Sequence, residues 1–376
     1  MKRPDALVIT RNLPPLVGGM ERLIWHIIDE LNQKYQIHVI GPEGCRKNLP
    51  IGVEGFEVPL SPLVRFLAST QFSAIRFALK NRPQIVFAGS GLTAPIVWLI
   101  GLIFNAQRYV YLHGLDLEVN HPFYRMIWLP FFRWFDGVMV NSSFTKQLAI
   151  KVGIPEKRIH ILNPGVALPN IRNARNKRKA FRVRNDLGNS PVLLYVGRIT
   201  TRKGFVVFLK KILPKIVEQV PDVKLLVIGD EPKYALQHRT GEQQRALNAL
   251  ANNNLGSIVS FMSGVDDSVL TEAYFASDAL VFPVQELPYD HEGFGMVALE
   301  AAAHGLSTIA FASGGVSDAV ADGVSGTLVS AGDHGAFTQA VVHQLNNRSS
   351  QSVDKAYKFA SKFAWPLFGK KLRSLC

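Results

Sequence analysis

The sequence predicts an α/β protein of two domains, each an open parallel sheet with helices on both faces. Three observations predict it. At 376 residues the chain exceeds the ~250–300 at which a single hydrophobic core stops growing. Short β-rich runs alternate with helical stretches from one end to the other, the rhythm of repeated β-α units. Most of those runs are continuously apolar rather than alternating, as strands covered on both faces require.

In the first half, strands are expected at Ala6–Thr10, Ile37–Ile40, Ile85–Ala88, Tyr109–Leu112 and Val138–Val140. In the second half they are expected at Val192–Val196, Lys224–Ile228, Ile258–Phe261, Ala279–Phe282, Ser307–Ala310 and Thr327–Val329. The polar, basic stretch from Pro169 to Pro191 breaks the rhythm and marks the domain boundary. The expected division is residues 1–170, residues 171–360 and a final segment, 361–376. Ligands of open parallel sheets sit beyond the carboxyl ends of the strands, and a crevice between two such sheets is a natural place for one.

Composition limits the function. With 47% hydrophobic and 19% charged residues and no low-complexity tract, the chain reads as a soluble globular protein. Residues 6–9 are too few for the apolar core of a secretory signal. The longest apolar run, Ala94–Phe104, falls short of the ~20 residues that span a bilayer. Cys45 and Cys376 are too few for a disulfide framework, so the expected compartment is the reducing cytoplasm. The formal charge of +13 calls for an anionic partner. Nucleic acid is disfavoured, because no basic helix, zinc spacing or aromatic RNA-binding motif accompanies the charge. Anionic lipid and phosphate-bearing substrates remain. The densest basic run, Arg172 to Arg184, is expected to be a solvated linker.

Three loops carry candidate chemistry. The first strand leads into Pro14-Pro15-Leu16-Val17-Gly18-Gly19, followed by an expected helix from Met20 to Asn32. Two glycines at a helix start let backbone amides approach a phosphate or a sugar. A tight turn explains them equally well, and the dinucleotide glycine fingerprint is missing, which disfavours a nicotinamide enzyme. The strand Val192–Val196 ends in Gly197-Arg198, with Lys203-Gly204 after a short loop. Two cations at a strand's carboxyl end would compensate a leaving diphosphate; plain loop decoration is the alternative. The third stretch is Glu292-Gly293-Phe294-Gly295-Met296-Val297-Ala298-Leu299-Glu300-Ala301, with a helix expected over Met296–Ala303. Its first amides face any anion beyond the strands. Glu292 and Glu300 suit the hydroxyls of a ribose and a sugar. Glu300 has core-like neighbours and should have a dedicated partner.

This paired-glutamate stretch resembles the signature of family 4 retaining glycosyltransferases with the GT-B fold. The resemblance extends through the Gly18-Gly19 loop, His113-Gly114, Asn163-Pro164-Gly165-Val166, the Gly197-Arg198/Lys203-Gly204 pair, Ile228-Gly229-Asp230 and Gly314-Gly315-Val316. It implies two Rossmann-like domains facing across a cleft. The first would bind the acceptor and the second the nucleotide-sugar, with a last helix around Phe363-Ala364-Trp365 packing back on the first. Arg198 and Lys203 would bind the donor diphosphate, and Glu300 the ribose. Glu292 would lie by the transferred sugar, and the backbone of Phe294, Gly295, Met296 and Val297 would touch sugar hydroxyls and phosphate. His113 would contact the sugar from the first domain, and Gly19 would approach the phosphates or the acceptor. Gly229-Asp230-Glu231-Pro232 departs from the pattern, in which a further glycine commonly follows the Asp, and so leaves the base-side loop open.

The mechanism that the resemblance implies is front-side transfer with retention. No Asp-x-Asp sits in a suitable loop; Asp116-Leu117-Glu118 comes nearest and reads equally as a helix start. No metal and no cofactor are therefore expected, the protein's own cations serving the leaving group. No histidine has metal-ligand spacing, and His121, His160 and His304 look incidental. The expected activity is transfer of a mannose- or glucose-type hexose from a UDP- or GDP-sugar to a glycolipid or polysaccharide acceptor in cell-surface, lipopolysaccharide-like assembly. The alternatives are a catalytically silent nucleotide-sugar-binding subunit and a GT-B-fold epimerase or phosphorylase. Pro62–Arg82 and Phe123–Phe135 mix apolar side chains with arginines. They read either as helices lying on an anionic membrane, at its cytoplasmic face, or as core helices with basic ends.

Overall fold

The computed structural model describes residues 3–231, 241–347 and 350–376. They divide into two compact units, Met1–Gly165 with Trp365–Cys376, and Val166–Ala364. The first unit holds a seven-stranded sheet of β1 (Asp5–Ile9), β2 (Gln36–Pro42), β3 (Glu54–Val58), β4 (Ile85–Ala88), β5 (Gln107–Leu112), β6 (Gly137–Val140) and β7 (Ile159–Ile161) in the order β3-β2-β1-β4-β5-β6-β7. The second holds a six-stranded sheet of β8 (Val192–Val196), β9 (Lys224–Ile228), β10 (Val259–Met262), β11 (Ala279–Phe282), β12 (Thr308–Ala312) and β13 (Gly326–Ser330) in the order β10-β9-β8-β11-β12-β13. Every pairing is parallel, as where Ala6–Ile9 of β1 run beside Ile85–Ala88 of β4. Both sheets are doubly wound, the arrangement of a Rossmann-like α/β fold.

The continuous apolar runs follow from burial on both faces. Leu193 and Tyr195 of β8 enter one core with Phe205, Phe208 and Phe337. Their neighbours Val192, Leu194 and Val196 enter another with Phe282, Leu299 and Val316. Successive side chains of a strand point to opposite faces, so both sets must be apolar. Two strands lay outside the expected pattern. β3 is an edge strand that leaves Glu54 and Glu57 exposed, and β7 is a short edge strand of Ile159, His160 and Ile161. Strands covered on one side only do not read as apolar runs.

The helices α1 (Gly19–Leu31), α2 (Leu63–Asn81) and α3 (Ala94–Phe104) cover the first sheet. The Trp365–Leu375 helix packs on α1 within the same unit. Trp365 stacks on His26 at 3.6 Å, Arg373 pairs with Glu30, and the Tyr35 hydroxyl donates to the carbonyl of Cys376 at 2.9 Å. Among the described residues, no helix is long and apolar enough to cross a membrane.

The basic run is not a solvated linker. Ala174–Arg184 is a helix on the Asp267–Ala276 helix of the second unit. Arg178 and Arg182 hold the Asp278 carboxylate at 2.7 and 2.8 Å and donate to the carbonyls of Phe275, Ala276 and Ser277, the last two residues of that helix and the one after it. Two guanidinium groups sharing one carboxylate, with their remaining donors on backbone carbonyls, turned part of the charge run into a docking device. The unit boundary accordingly falls at Gly165–Val166, ahead of that run.

Candidate functional site

In the second sheet the strand order reverses between β8 and β11, and connections diverge beyond their carboxyl ends. The local sequence makes this crevice tight. Gly197, at φ 142, follows β8, and Gly229, at φ 145, follows β9; a Cβ on Gly229 would lie 2.0 Å from the Gly197 carbonyl oxygen. Gly204 has φ 70, and a Cβ there would lie 1.9 Å from the carbonyl oxygen of Pro283 beyond β11. Gln285 N–H donates to the Arg202 carbonyl at 2.7 Å. The loop after β8 is thus clamped to the loop after β11, and Arg202 and Lys203 ride on that clamp.

Their charges converge on Glu292. Lys203 Nζ donates to Glu292 Oε2 at 2.7 Å, Arg202 pairs with the same oxygen, and Arg202 Nε meets Asp290 Oδ1 at 3.0 Å. The Lys203 ammonium also lies 4.9 Å from the centroid of the Phe282 ring. The backbone of Glu292 is held from behind, its carbonyl accepting from Gly315 N–H at 2.7 Å. Gly314 passes so close that a Cβ would stand 2.4 Å from that carbonyl oxygen.

Burial pushes the Glu292 carboxyl up, but Arg202 and Lys203 outweigh it and hold the pKa at about 2. Burial also lowers Lys203, against the pull of Glu292. Arg202 is raised, since Glu292 and Asp290 overcome its own desolvation. Arg198 is exposed, and its charge still helps to lower Glu292. Three cations therefore face two carboxylates, which leaves room for an anion.

Phe294 is buried, Gly295 adopts φ 98 against the Phe282 ring, and Met296 and Val297 form the first turn of the Met296–Ala303 helix. No side chain caps that turn. First-turn amides lack intrahelical partners and suit an anion. The partner of Glu300 is the Tyr274 hydroxyl, which donates at 2.9 Å from the Asp267–Ala276 helix. His304 stacks on Tyr274 at 4.7 Å and its Nδ1 meets the Glu300 carbonyl at 2.7 Å, so it steadies this glutamate's turn; burial lowers its pKa to about 4.

The other predicted residues belong to the first unit. Gly18 and Gly19 are exposed at the start of α1, which has no side-chain cap, while Glu21 in its first turn accepts from Asn12 Nδ2 at 3.0 Å. His113 is buried beyond β5. Its Nε2 lies 2.9 Å from the Gly89 carbonyl and donates to it, leaving Nδ1 as acceptor in the neutral ring. Asp116 accepts from Gly91 N–H at 3.0 Å and His113 N–H at 2.9 Å, so it fastens loops. No group of three or more His, Cys, Asp or Glu that could hold a metal ion occurs among the described residues.

The structure thus joins Lys203 to Glu292, sets Arg198 within their field, and gives Glu300 a separate partner. Sequence reading missed Arg202, Tyr274 and Arg11. Arg202 stood beside Lys203 and was legible as a third cation, whereas Tyr274 carries no local signal. Arg11 follows β1, and its Nε is buried with no partner among the described residues. Of the departing segment Gly229-Asp230-Glu231-Pro232, Pro232 lies outside the described residues.

Two family profiles match the chain, one described as Glycosyltransferase Family 4 over residues 17–168 and one as Glycosyl transferases group 1 over residues 190–347. Among curated relatives, the chain is 26% identical over 381 residues to the GDP-mannose-dependent alpha-(1-6)-phosphatidylinositol monomannoside mannosyltransferase of Mycolicibacterium smegmatis, covering 98% of this chain and 97% of that protein. Among solved structures, it resembles sucrose-phosphate synthase of Thermosynechococcus elongatus at a TM-score of 0.81 and 21% identity, covering 99% and 98% of the two chains. It also resembles Alr3699/HepE of Anabaena in complex with UDP-glucose, at 0.79 and 18% identity over 99% of each chain.

Proposed function

The chain belongs to glycosyltransferase family 4, with the GT-B fold, and from that premise we propose that it is a retaining, metal-independent hexosyltransferase. It takes a mannose- or glucose-type sugar from a UDP- or GDP-sugar and delivers it to a glycolipid or polysaccharide acceptor in cell-surface glycan assembly. The observation that carries this reading is the cluster of Lys203, Arg202 and Glu292 beyond β8 and β11, with Arg198 beside it. The relative named for GDP-mannose and a phosphatidylinositol mannoside, and the neighbour holding UDP-glucose, support the donor and acceptor classes.

Transfer breaks the bond between the anomeric carbon and the diphosphate oxygen, and the electron pair stays on that oxygen. Lys203 and Arg198 stabilise the charge that develops there, with the free amides of Met296 and Val297. The ammonium has three donors, so it can keep Glu292 while it binds phosphate. Glu292, ionised down to about pH 2, faces the positive charge that grows on the sugar. The acceptor hydroxyl attacks from the departing side, and its proton passes to the leaving phosphate oxygen. Glu300, aimed by Tyr274, holds the ribose hydroxyls. From the first unit, His113 offers Nδ1 to a sugar hydroxyl, and Gly19 gives backbone access to phosphate or acceptor. The place of work is the cytoplasmic face of the plasma membrane.

A panel of nucleotide-sugars read by thermal unfolding tests the proposal. A donor at ~100 times its dissociation constant adds about 2.7 kcal/mol. Some UDP- or GDP-hexose should raise the unfolding temperature; no shift with any nucleotide-sugar would overturn the reading.

A further inference from the structure

Beyond the carboxyl end of β1 stands a cation that no group of the protein answers. Arg11 follows Thr10 there, and its guanidinium makes no hydrogen bond and no ion pair among the described residues. Its Nε is sealed from solvent, while the terminal nitrogens Nη1 and Nη2 are not. The side chain is therefore packed along its stem, and the open edge of the guanidinium is held in place. Burial lowers the Arg11 pKa, and no carboxylate offsets that cost.

Two carboxylates at this end of the sheet are committed elsewhere. Glu21, in the first turn of α1, accepts from Asn12 Nδ2 at 3.0 Å, although Asn12 is the residue next to Arg11. Asp116 takes the amides of Gly91 and His113 at 3.0 and 2.9 Å. The backbone beneath Arg11 is fixed as well. Thr10 N–H donates to the Ile40 carbonyl at 3.0 Å, and Asn12 N–H donates to Thr10 Oγ1 at 2.9 Å. A Cβ on Gly89 would lie 2.5 Å from that same oxygen, and the Gly89 carbonyl in turn meets His113 Nε2. Arg11 thus belongs to the sheet end at which His113 presents its Nδ1.

A desolvated guanidinium is costly unless an anion joins it. The planar fork of arginine matches two oxygens at once. One cation balances one negative charge, so a phosphodiester or a carboxylate fits, whereas a doubly charged monoester would leave a charge over. The donor diphosphate already has Arg198 and Lys203 of the second unit.

We infer that Arg11 selects an acidic acceptor: its fork receives a singly charged group with two free oxygens, a phosphodiester or a carboxylate, carried beside the acceptor sugar. The word acceptor rests on the transferase reading; the anion seat does not, and the experiment separates the two.

The first arm needs no sugar transfer. Because the Arg11 Nε is sealed, its proton exchanges slowly and gives a side-chain signal in the NMR spectrum of the whole chain labelled with nitrogen-15 arginine. Arg11→Lys assigns that signal by removing it. Dimethyl phosphate, acetate or both should shift it saturably, and the anion that does so names the group; chloride at equal ionic strength should not. A signal that moves no further than it does with chloride overturns the seat. The second arm uses Arg11→Met, which keeps an unbranched stem. It should resist denaturant as well as the native chain, since it removes an unpartnered charge, and it should bind nucleoside diphosphate and hydrolyse donor to water as before. Its transfer should weaken roughly tenfold or more through the acceptor KM alone, with Arg11→Lys between the two. A marked loss of stability in Arg11→Met would make Arg11 a structural residue. Weakened nucleoside diphosphate binding would give the anion to the donor, and an unchanged acceptor KM would remove it from the acceptor; each overturns the proposal.

Discussion

Both sheets reverse their strand order after the strand that opens the unit, β1 in one and β8 in the other, yet the two reversal points are built from different chemistry. Beyond β8 and β11 stand Arg202, Lys203, Glu292 and Asp290, with Arg198 outside them. Beyond β1, β4 and β5, the contacts are mostly between neutral groups and backbone. His113 Nε2 meets the Gly89 carbonyl, Asn141 Nδ2 donates to the His113 carbonyl at 3.2 Å, and Asp116 is consumed by two amides. A buried ion cluster is a poor way to stabilise a fold, since apolar residues of like volume commonly do as well or better. The charges in the second unit therefore point to a charged ligand. The hydrogen-bonded lattice in the first suits hydroxyl groups, and beside it the buried Nε of Arg11 has no partner among the described residues.

The strongest way to break this contrast is to remove the cations. Arg198→Ala/Lys203→Ala should lower kcat/KM roughly a hundredfold or more, because each charge-assisted contact to phosphate contributes about 1.5–3 kcal/mol. The loss should appear in calorimetric binding of nucleoside diphosphate as well. A double variant that is folded, binds donor and turns over normally would leave the charged crevice without a diphosphate.

The two glutamates sharpen the contrast within the second unit. Glu300→Ala should weaken donor and free nucleoside diphosphate alike and mainly raise KM, since ribose contacts exist before and during the reaction. Glu292→Gln should chiefly lower kcat. It also strands Lys203 and leaves Arg202 with Asp290 alone, so it should destabilise the fold by about 3–5 kcal/mol, seen in denaturant unfolding. The pH dependence has a definite sign. A carboxyl held at about 2 against an ordinary 4.5 stabilises the fold fully above pH 4.5 and loses that contribution as pH falls towards 2. Acid unfolding in that window should be less steep in Glu292→Gln. If Glu292→Gln abolishes nucleoside diphosphate binding while Glu300→Ala keeps it, the two roles are reversed.

How much of this was legible in the chain depended on the range of the interaction. β4, β8, β9 and β11 announced themselves because burial on both faces leaves an uninterrupted apolar run. β3 carries Glu54 and Glu57 at a sheet edge and had no such mark. The cations at 198 and 203 were readable from their place after a strand. That Lys203 and Arg202 share Glu292, some 90 residues on, was not, because only the close approaches of Gly204 and Gly314 bring those loops together. The basic helix Ala174–Arg184 shows the same limit. Its charge run looked like a linker until Asp278, distant in sequence, gave two arginines a common partner.

The smallest expected effect is no effect, and it bears on which unit serves the leaving group. A departing diphosphate must have its charge compensated, either by a divalent cation or by the protein. The crevice of the second unit already offers Arg198, Arg202 and Lys203 against Glu292 and Asp290. In the first unit the segment nearest to an Asp-x-Asp is Asp116-Leu117-Glu118, and both carboxylate oxygens of Asp116 accept backbone amides. Freeing them for a metal would release the loops at Gly91 and His113. Steady-state transfer should therefore be the same with and without EDTA, and added manganese or magnesium should restore nothing because nothing is lost. Activity that disappears with chelator and returns with either ion would invert the comparison. The cations of the second unit would then be insufficient on their own, and Asp116→Asn, silent in the metal-free account apart from a modest loss of stability, would become the variant to abolish metal-dependent turnover.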